Sequence, residues 1–180
     1  LFTDDIMVNI TIDFEPLGAG ILGSALSYSE SVEYSTFRNS LITDAKSTSD
    51  TTATANLSTA QTLSLYTSSY TSGVPGTPMI DNNNTNNNRI LDLNTANSKA
   101  IGFRTPGNTA VDAEISFSSN FSWDFDRSNG IDSNAYDFVG VAAHEIGHAL
   151  GFVSGADAVD ATTGAVPSIN KQSLDQFRVV

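Results

Sequence analysis

The segment VAAHEIGHALGFVSGAD, residues 141–157, contains the only two histidines of the 180-residue chain. Apolar residues recur at helical spacing over residues 134–150, and Gly151 follows where a left-handed C-terminal cap is expected, so the pattern predicts one helix. On that helix His144 and His148 lie about 40° apart, one turn above each other. Because both imidazoles can reach one ion, the spacing predicts a metal site.

Glu145 lies about 100° around the helix from His144, close to the ion without occupying a ligand position. A carboxylate in that place can act as a general base toward water and then pass the proton to a leaving amine. Zinc lowers the pKa of water and polarises carbonyl groups, so these residues together indicate hydrolysis of amide bonds. The alternative is that H-E-x-x-H has arisen by chance on a solvated helix face.

Four apolar residues of the same helix lie together on the side away from the histidines: Val139, Ala143, Ile146 and Leu150. Helices of globular proteins bury their apolar stripe against the core. We therefore expect this side to face the core and the histidine side to face an open cleft.

The composition of the chain excludes two classes of partner. With 20 acidic and 8 basic side chains its net charge is -12, which repels nucleic acid and anionic lipid. No apolar run approaches the roughly 20 residues that cross a bilayer. We therefore expect neither nucleic-acid binding nor membrane insertion. The chain has no cysteine, which excludes Cys-ligated metal, and its low charge content with abundant Ser, Thr and Asn is typical of secreted or cell-surface proteins.

The length and the order of elements predict one α+β domain over residues 1–180, with helices packed on one face of a sheet. Residues 6–14 and 112–117 alternate apolar and polar side chains, which predicts two half-buried strands. Residues 24–46 place apolar side chains at loose helical spacing and predict one helix. Residues 94–102 predict a short helix that begins at Asn94 or Thr95.

The middle of the chain has weaker patterns. Residues 62–70, TLSLYTSSY, predict a short strand, and residues 71–78, TSGVPGTP, predict a loop because Gly and Pro interrupt them. Residues 81–89, DNNNTNNNR, predict an exposed loop, since asparagine side chains compete with the backbone for hydrogen bonds.

The segment HEIGHALGF resembles the active-site helix of zinc metallopeptidases of the zincin class. The longer pattern H-x-x-x-H-x-x-G resembles the metzincin subgroup, and HALGF is most similar to leishmanolysin-like peptidases and related bacterial secreted metalloproteases. The resemblance is specific over about residues 112–157. It implies a zincin-like catalytic subdomain, in which a twisted mixed sheet with a backing helix lies above a cleft, zinc lies at the cleft floor, and the substrate is a protein or peptide. It also implies that AEISFSS, residues 113–119, is the edge strand that pairs with extended substrate.

The sequence departs from the metzincin pattern at two places. The third zinc ligand of that pattern would fall at Ser154, and serine is a poor zinc ligand. The methionine turn should follow the helix, but Met7 and Met79 both precede it.

Four interpretations of the third ligand are open. The favoured one places a histidine beyond Val180, so that the chain is an N-terminal portion of a longer catalytic domain and binds metal weakly by itself, with little or no activity. The second makes Asp157 the ligand, and the third makes it Asp160 or Asp175, since carboxylates bind zinc. In the fourth the metal site is degenerate.

Four oxygen-bearing side chains surround Gly130 in the segment DFDRSNGID: Asp124, Asp126, Ser128 and Asp132. Such a cluster can hold Ca²⁺, but the glycine stands one residue late for an EF-hand loop. We favour a polar turn, with Asp132, Ser133 or Asn134 as the N-cap of the following helix. The aromatic residues Phe121, Trp123 and Phe125 beside it could line a substrate pocket, but aromatic residues at alternating spacing are more often core, which is the interpretation we favour.

The leading hypothesis is therefore a secreted zinc endopeptidase of bacterial type, with His144 and His148 as zinc ligands and Glu145 as general base. The alternative is a non-catalytic surface or binding module that keeps the zincin fold with a degenerate metal site.

Overall fold

The computed structural model describes residues 4–71, 74–153 and 171–172 of the chain. It has the α+β composition that the sequence predicts. The described strands are β1 (Ile10–Glu15), β2 (Gly23–Ser27), β3 (Ser29–Glu33), β4 (Leu65–Thr71), β5 (Val74–Asp81), β6 (Ile90–Asn94), β7 (Ala113–Ser118), β8 (Trp123–Asp124), β9 (Tyr136–Asp137) and β10 (Lys171–Gln172). The described α-helices are α1 (Tyr34–Asp44), α2 (Thr48–Ala55), α3 (Asn86–Arg89), α4 (Thr95–Ala100) and α5 (Phe138–Ala149).

The sheet nearest to α5 has the strand order β1-β7-β2. It is mixed, because β7 runs parallel to β1 and antiparallel to β2. The alternation that predicted β7 is confirmed, since Ala113, Ile115 and Phe117 are all buried and Glu114 is exposed. The expectation that β7 is an edge strand is wrong, however, because both of its edges are already paired. The antiparallel edge strand of this sheet is β2.

The prediction of a single helix over residues 24–46 is only half correct. The first part forms β2 and β3, and the helix begins at Tyr34. The partners of these two strands lie far along the chain: Ser24 pairs with Ser116 of β7, and Ser31 pairs with Asp92 of β6. A pattern read within one short window cannot show such partners, and tertiary pairing decides the outcome.

The main hydrophobic core lies between α1 and a second sheet with the order β10-β6-β3. It is formed by Val32, Tyr34, Phe37, Leu63, Leu91 and Leu93, with Leu41 and Ile101 packed against it. Helix α1 therefore covers one face of this sheet. In the middle of the chain β4 agrees with the predicted strand, whereas the loop predicted at residues 71–78 is wrong because β5 begins within it.

A buried ion pair attaches the N-terminal segment to the start of β7. Lys99 Nζ lies 2.6 Å from Asp112 Oδ2, and the side chains are 0% and 1% exposed. Lys99 also donates to the carbonyls of Met7 at 2.8 Å and Asn108 at 2.9 Å. Asp112 accepts further hydrogen bonds from the Thr95 hydroxyl at 2.7 Å and from the amide of Asn9 at 2.8 Å. Since each buried charge is paired and hydrogen-bonded, we interpret this cluster as a structural contact between segments of the fold.

None of the described helices combines the length and the apolar character that a membrane-spanning helix needs.

Candidate active site

Helix α5 carries the residues that the sequence singles out, and its C-terminal end is a Schellman motif. Gly151 has a φ of +96°, the left-handed conformation that the sequence predicts there. The amide of Gly151 donates to the carbonyl of His148 at 3.0 Å, and the amide of Phe152 donates to that of Gly147 at 3.0 Å. The helix begins at Phe138, later than predicted, because residues 136–137 form β9.

The two histidines converge on one point. Their Nε2 atoms are 3.1 Å apart, and the rings meet edge to face, with centroids 4.6 Å apart. Two nitrogens bound at about 2.05 Å to a tetrahedral zinc ion are themselves about 3.3 Å apart. The pair therefore fits two positions of a tetrahedral metal site with little movement.

The ring of His148 is held by the turn that follows the helix. Its Nδ1 lies 2.8 Å from the carbonyl oxygen of Phe152. A carbonyl can only accept, so Nδ1 carries the proton, and in the neutral ring Nε2, which faces His144, keeps the lone pair that a metal needs. Histidines that bind metals commonly make this kind of second hydrogen bond, which sets the tautomer and the ring orientation.

Glu145 lies on the side of α5 that meets the edge strand β2. Glu145 as a whole is only 5% exposed. The carboxylate packs against the backbone of Gly23, where a Cβ atom would lie 2.8 Å from Oε1 and 2.9 Å from Cγ. Together with His144, Glu145 lines a cleft of about 420 Å³ between the first half of α5 and the segment of residues 20–23.

The outer edge of β2 runs beside this cleft. Ser118 donates its amide to the carbonyl of Leu22 at 2.9 Å, and Tyr28 donates its amide to that of Asp112 at 2.9 Å. Backbone groups of an antiparallel strand alternate in direction, so those of residues 23, 25 and 27 point away from β7. Among the described strands none pairs with that edge. Sequence reasoning missed this strand, although the glycine-rich segment PLGAGILG marks its approach.

The side of α5 that packs on the sheet is not the predicted one. Val139 and Ile146 are 40% and 37% exposed in the described structure, whereas Glu145 and Ala149 are buried. The sheet contacts the stripe that begins with Phe138, whose ring lies 4.8 Å from that of Phe117. Both sides of the helix are apolar, so amphipathicity could not distinguish them.

The described residues supply two of the metal donors that a zinc site needs. In residues 4–71, 74–153 and 171–172 no group of three or more His, Cys, Asp or Glu side chains could hold a metal ion. Ser154 and the alternative ligands Asp157, Asp160 and Asp175 lie outside the described residues. The predicted histidine beyond Val180 also lies outside them.

The acidic loop before α5 is organised as a polar turn. Both carboxylate oxygens of Asp124 accept backbone amides, from Asp126 and from Asp132, each at 2.8 Å. Asp126 accepts the amide of Ser128 at 2.9 Å, and hydrogen bonds from the Ser128 hydroxyl and amide lower the pKa of the Asp126 carboxyl. These contacts fit the turn better than a calcium site. The expected helix cap at Asp132 is wrong, because the N-cap of α5 is Asp137.

The aromatic residues beside that loop attach it to the start of α5. The rings of Trp123 and Phe125 lie 5.7 Å and 4.6 Å from that of Phe138, and the Trp123 indole donates to the carbonyl of Ser118 at 2.9 Å. Neither residue lines the cleft. The interpretation of Phe125 as core is wrong, because the residue is 62% exposed, and Trp123 is only half-buried.

Comparison with known families gives one match. The family model described as Matrixin, a peptidase family, matches residues 78–169, slightly more than half of the chain. That range contains β6, β7 and the whole of α5 with both histidines, whereas β2 lies before it. No curated protein and no solved structure matches the chain.

Proposed function

Because the chain belongs to the matrixin family of zinc metallopeptidases, we propose that it is an endopeptidase in which His144 and His148 bind zinc and Glu145 is the general base. The observation that carries the proposal is the convergence of the two Nε2 atoms at 3.1 Å on a helix within the matched range. The finer resemblance to leishmanolysin-like peptidases stays a prediction.

The hydrogen bond from His148 Nδ1 to the Phe152 carbonyl supports the assignment of His148, since it frees Nε2 for a metal. A zinc ion bound there would supply a Lewis acid that polarises the scissile carbonyl and makes water acidic. The third protein ligand has to come from outside the described residues, and Asp157 is the candidate that a substitution can test directly.

Glu145 has the position that proton transfer requires. Its carboxylate borders the cleft next to His144 and packs against the backbone of Gly23. There it would accept a proton from the attacking water and donate it to the departing amide nitrogen. The burial of the residue keeps bulk water from competing for that proton.

The free edge of β2 is the proposed binding surface for substrate. An extended peptide can add to it as an antiparallel strand and bond to the outward backbone groups of Gly23, Ala25 and Ser27. One of its side chains would then enter the cleft, whose walls include Ile21, Leu22 and Val141. This predicts uncharged side chains at that substrate position. Members of the family are typically secreted or extracellular, and we propose the same location here.

The test is made on the full-length protein, because the third ligand lies outside the described residues, and compares wild type with Glu145→Gln and His148→Ala for zinc content and for cleavage of denatured casein. We expect Glu145→Gln to retain zinc and lose about 10²- to 10⁴-fold in activity. His148→Ala should lose zinc as well. Glu15→Gln, on an exposed carboxylate of β1, is the matched control and should behave as wild type.

Undiminished casein cleavage by Glu145→Gln would contradict the proposed base. A zinc-loaded wild type that binds peptides but cleaves none would favour the non-catalytic binding module instead.

A further inference from the structure

The last turn of α5 receives hydrogen bonds from two other parts of the chain. The hydroxyl of Ser27, on β2, donates to the carbonyl of His148 at 3.0 Å, and the side-chain amide of Asn94, at the end of β6, donates to the same oxygen at 3.1 Å. The amide of Gly151 donates to it as well, at 3.0 Å. Carbonyls in the last turn of a helix lack partners within the helix. The Gly151 amide alone would satisfy the His148 carbonyl, so the two side-chain donors are additional.

The following residues are held in the same way by α4. The side-chain amide of Asn97 donates to the carbonyl of Leu150 at 3.1 Å. A Cβ atom at Gly151 would lie 2.0 Å from Asn97 Oδ1, so the backbone of this turn lies directly against the asparagine. Two asparagines and a serine thus hold the segment that contains the carbonyl partner of the His148 ring.

These hydrogen bonds lie in a part of the protein that is shielded from solvent. Asn94 is 3% exposed, and Gly151 is buried. Hydrogen bonds that are shielded from water are stronger than exposed ones, and removing one partner leaves a buried group unsatisfied. Ser27 and Asn94 reach His148 from different sheets, so they tie α5 to both.

We propose that Ser27 and Asn94 are positioning residues for His148, which by fixing its backbone carbonyl keep the ring in the orientation that binds metal. The inference rests on the proposed function, since it takes His148 to be a zinc ligand. The ring depends on the C-terminal turn twice, through its own backbone and through the Phe152 carbonyl. If the turn opens part of the time, zinc affinity falls in proportion to the closed fraction.

The first measurement is zinc affinity, by competition with a chromophoric chelator, for Ser27→Ala, Asn94→Ala and the double variant of the full chain. We expect each single variant to bind zinc about 3- to 10-fold more weakly and the double variant about 10- to 100-fold more weakly. Ser27→Thr, which keeps the hydroxyl, should restore most of the affinity.

Asn88→Ala is the matched control, because Asn88 is also buried and donates its side-chain amide to a backbone carbonyl, that of Leu63, at 2.7 Å. It should lower the thermal stability while zinc affinity stays within about twofold of wild type, since this hydrogen bond goes to Leu63 and not to the turn that carries His148. An equal loss of zinc affinity in this control would make the effect one of general stability and overturn the proposal.

The second measurement needs no metal. Amide hydrogen exchange at Gly151 and Phe152 reports the opening of the turn, and we expect it to be about tenfold faster in Ser27→Ala and Asn94→Ala. If wild type binds no zinc, the proposed function fails, while exchange still decides whether the two side chains hold the turn. Unchanged exchange, or faster exchange with unchanged zinc affinity, would show that they do not position His148.

Discussion

Gly23 of the edge strand β2 lies against the carboxylate of Glu145 so closely that a Cβ atom at position 23 would be 2.8 Å from Oε1. The strand proposed to bind substrate and the residue proposed to move the proton are therefore in direct contact. Because glycine has no Cβ atom, it leaves room for the Glu145 carboxylate at its observed position.

A larger side chain at this position should displace Glu145 and narrow the cleft. We expect Gly23→Val to reduce kcat/KM by up to about 100-fold, since misplacement by about 1 Å has effects of that size. Zinc content should stay at the wild-type level because the nearest atoms to a Cβ at position 23 all belong to Glu145 and not to either histidine. Steady-state cleavage of a peptide substrate measures the change.

Gly107→Val is the control, because a Cβ atom at position 107 has no neighbour within 4 Å. Wild-type kinetics in Gly23→Val would mean that Glu145 does not need its present position.

Gly151 combines a left-handed backbone with close contact to Asn97. Alanine there has to adopt the φ of +96° and overlap with Asn97 Oδ1, so we expect Gly151→Ala to lower the free energy of unfolding by about 2–4 kcal/mol. Urea denaturation measures it.

Gly102→Ala separates the two causes, since its φ is +72° but its Cβ atom would have open space. That variant should lose about 1 kcal/mol. Equal losses in the two variants would argue against an effect of Asn97.

The buried pair of Lys99 and Asp112 should be costly to break. Lys99→Met leaves an uncompensated carboxylate in the interior, and we expect a loss of about 3–5 kcal/mol in the free energy of unfolding. Arg104→Met removes the ion pair with Glu30, whose side chains are both 27% exposed, and should lose about 1 kcal/mol or less. Similar losses in the two variants would contradict the structural role given to the buried pair.

Acid should weaken the same pair. Burial raises the pKa of the Asp112 carboxyl, but hydrogen bonds from Lys99, the Asn9 amide and Thr95 outweigh it and hold that pKa below its ordinary value of 3.8. A carboxyl with a lowered pKa in the folded state stabilises the fold above its unfolded-state pKa, and this contribution is lost as the pH falls through the folded-state value. Urea denaturation between pH 7 and 2 should show a loss below about pH 4 that is smaller in Asp112→Asn.

Substitution of Asp124 in the acidic loop before α5 should change the stability of the protein, whereas calcium should have no specific effect on it. Asp124→Asn weakens two hydrogen bonds from backbone amides to a buried carboxylate, which predicts a loss of about 1–3 kcal/mol in the free energy of unfolding. Millimolar Ca²⁺ should shift the melting temperature of wild type and Asp124→Asn by the same amount. A shift present only in wild type would restore the calcium interpretation of this loop.

Local sequence patterns predicted the elements whose structure depends on residues close in the sequence. The alternation of Ala113, Ile115 and Phe117 identified β7, and the spacing of His144 and His148 placed both rings on one face of a helix that ends just before Gly151. The facing Nε2 atoms follow from that spacing together with ordinary helix geometry.

Contacts between distant segments could not be predicted in this way. Residues 24–33 form strands only because β7 and β6 offer them edges, and the same pairing makes β2 the edge strand in place of β7. The contacts of Ser27 and Asn94 with the carbonyl of His148 join positions 121 and 54 residues apart, and no local pattern marks them.

By itself, the sequence determined that one helix carries two histidines and a glutamate at the spacing of a metal-dependent hydrolase, because the periodicity of a helix is a local property of the backbone. Only the tertiary structure decided which apolar side of that helix is buried, which strand borders the cleft, and which side chains hold His148, because these depend on segments that meet through folding.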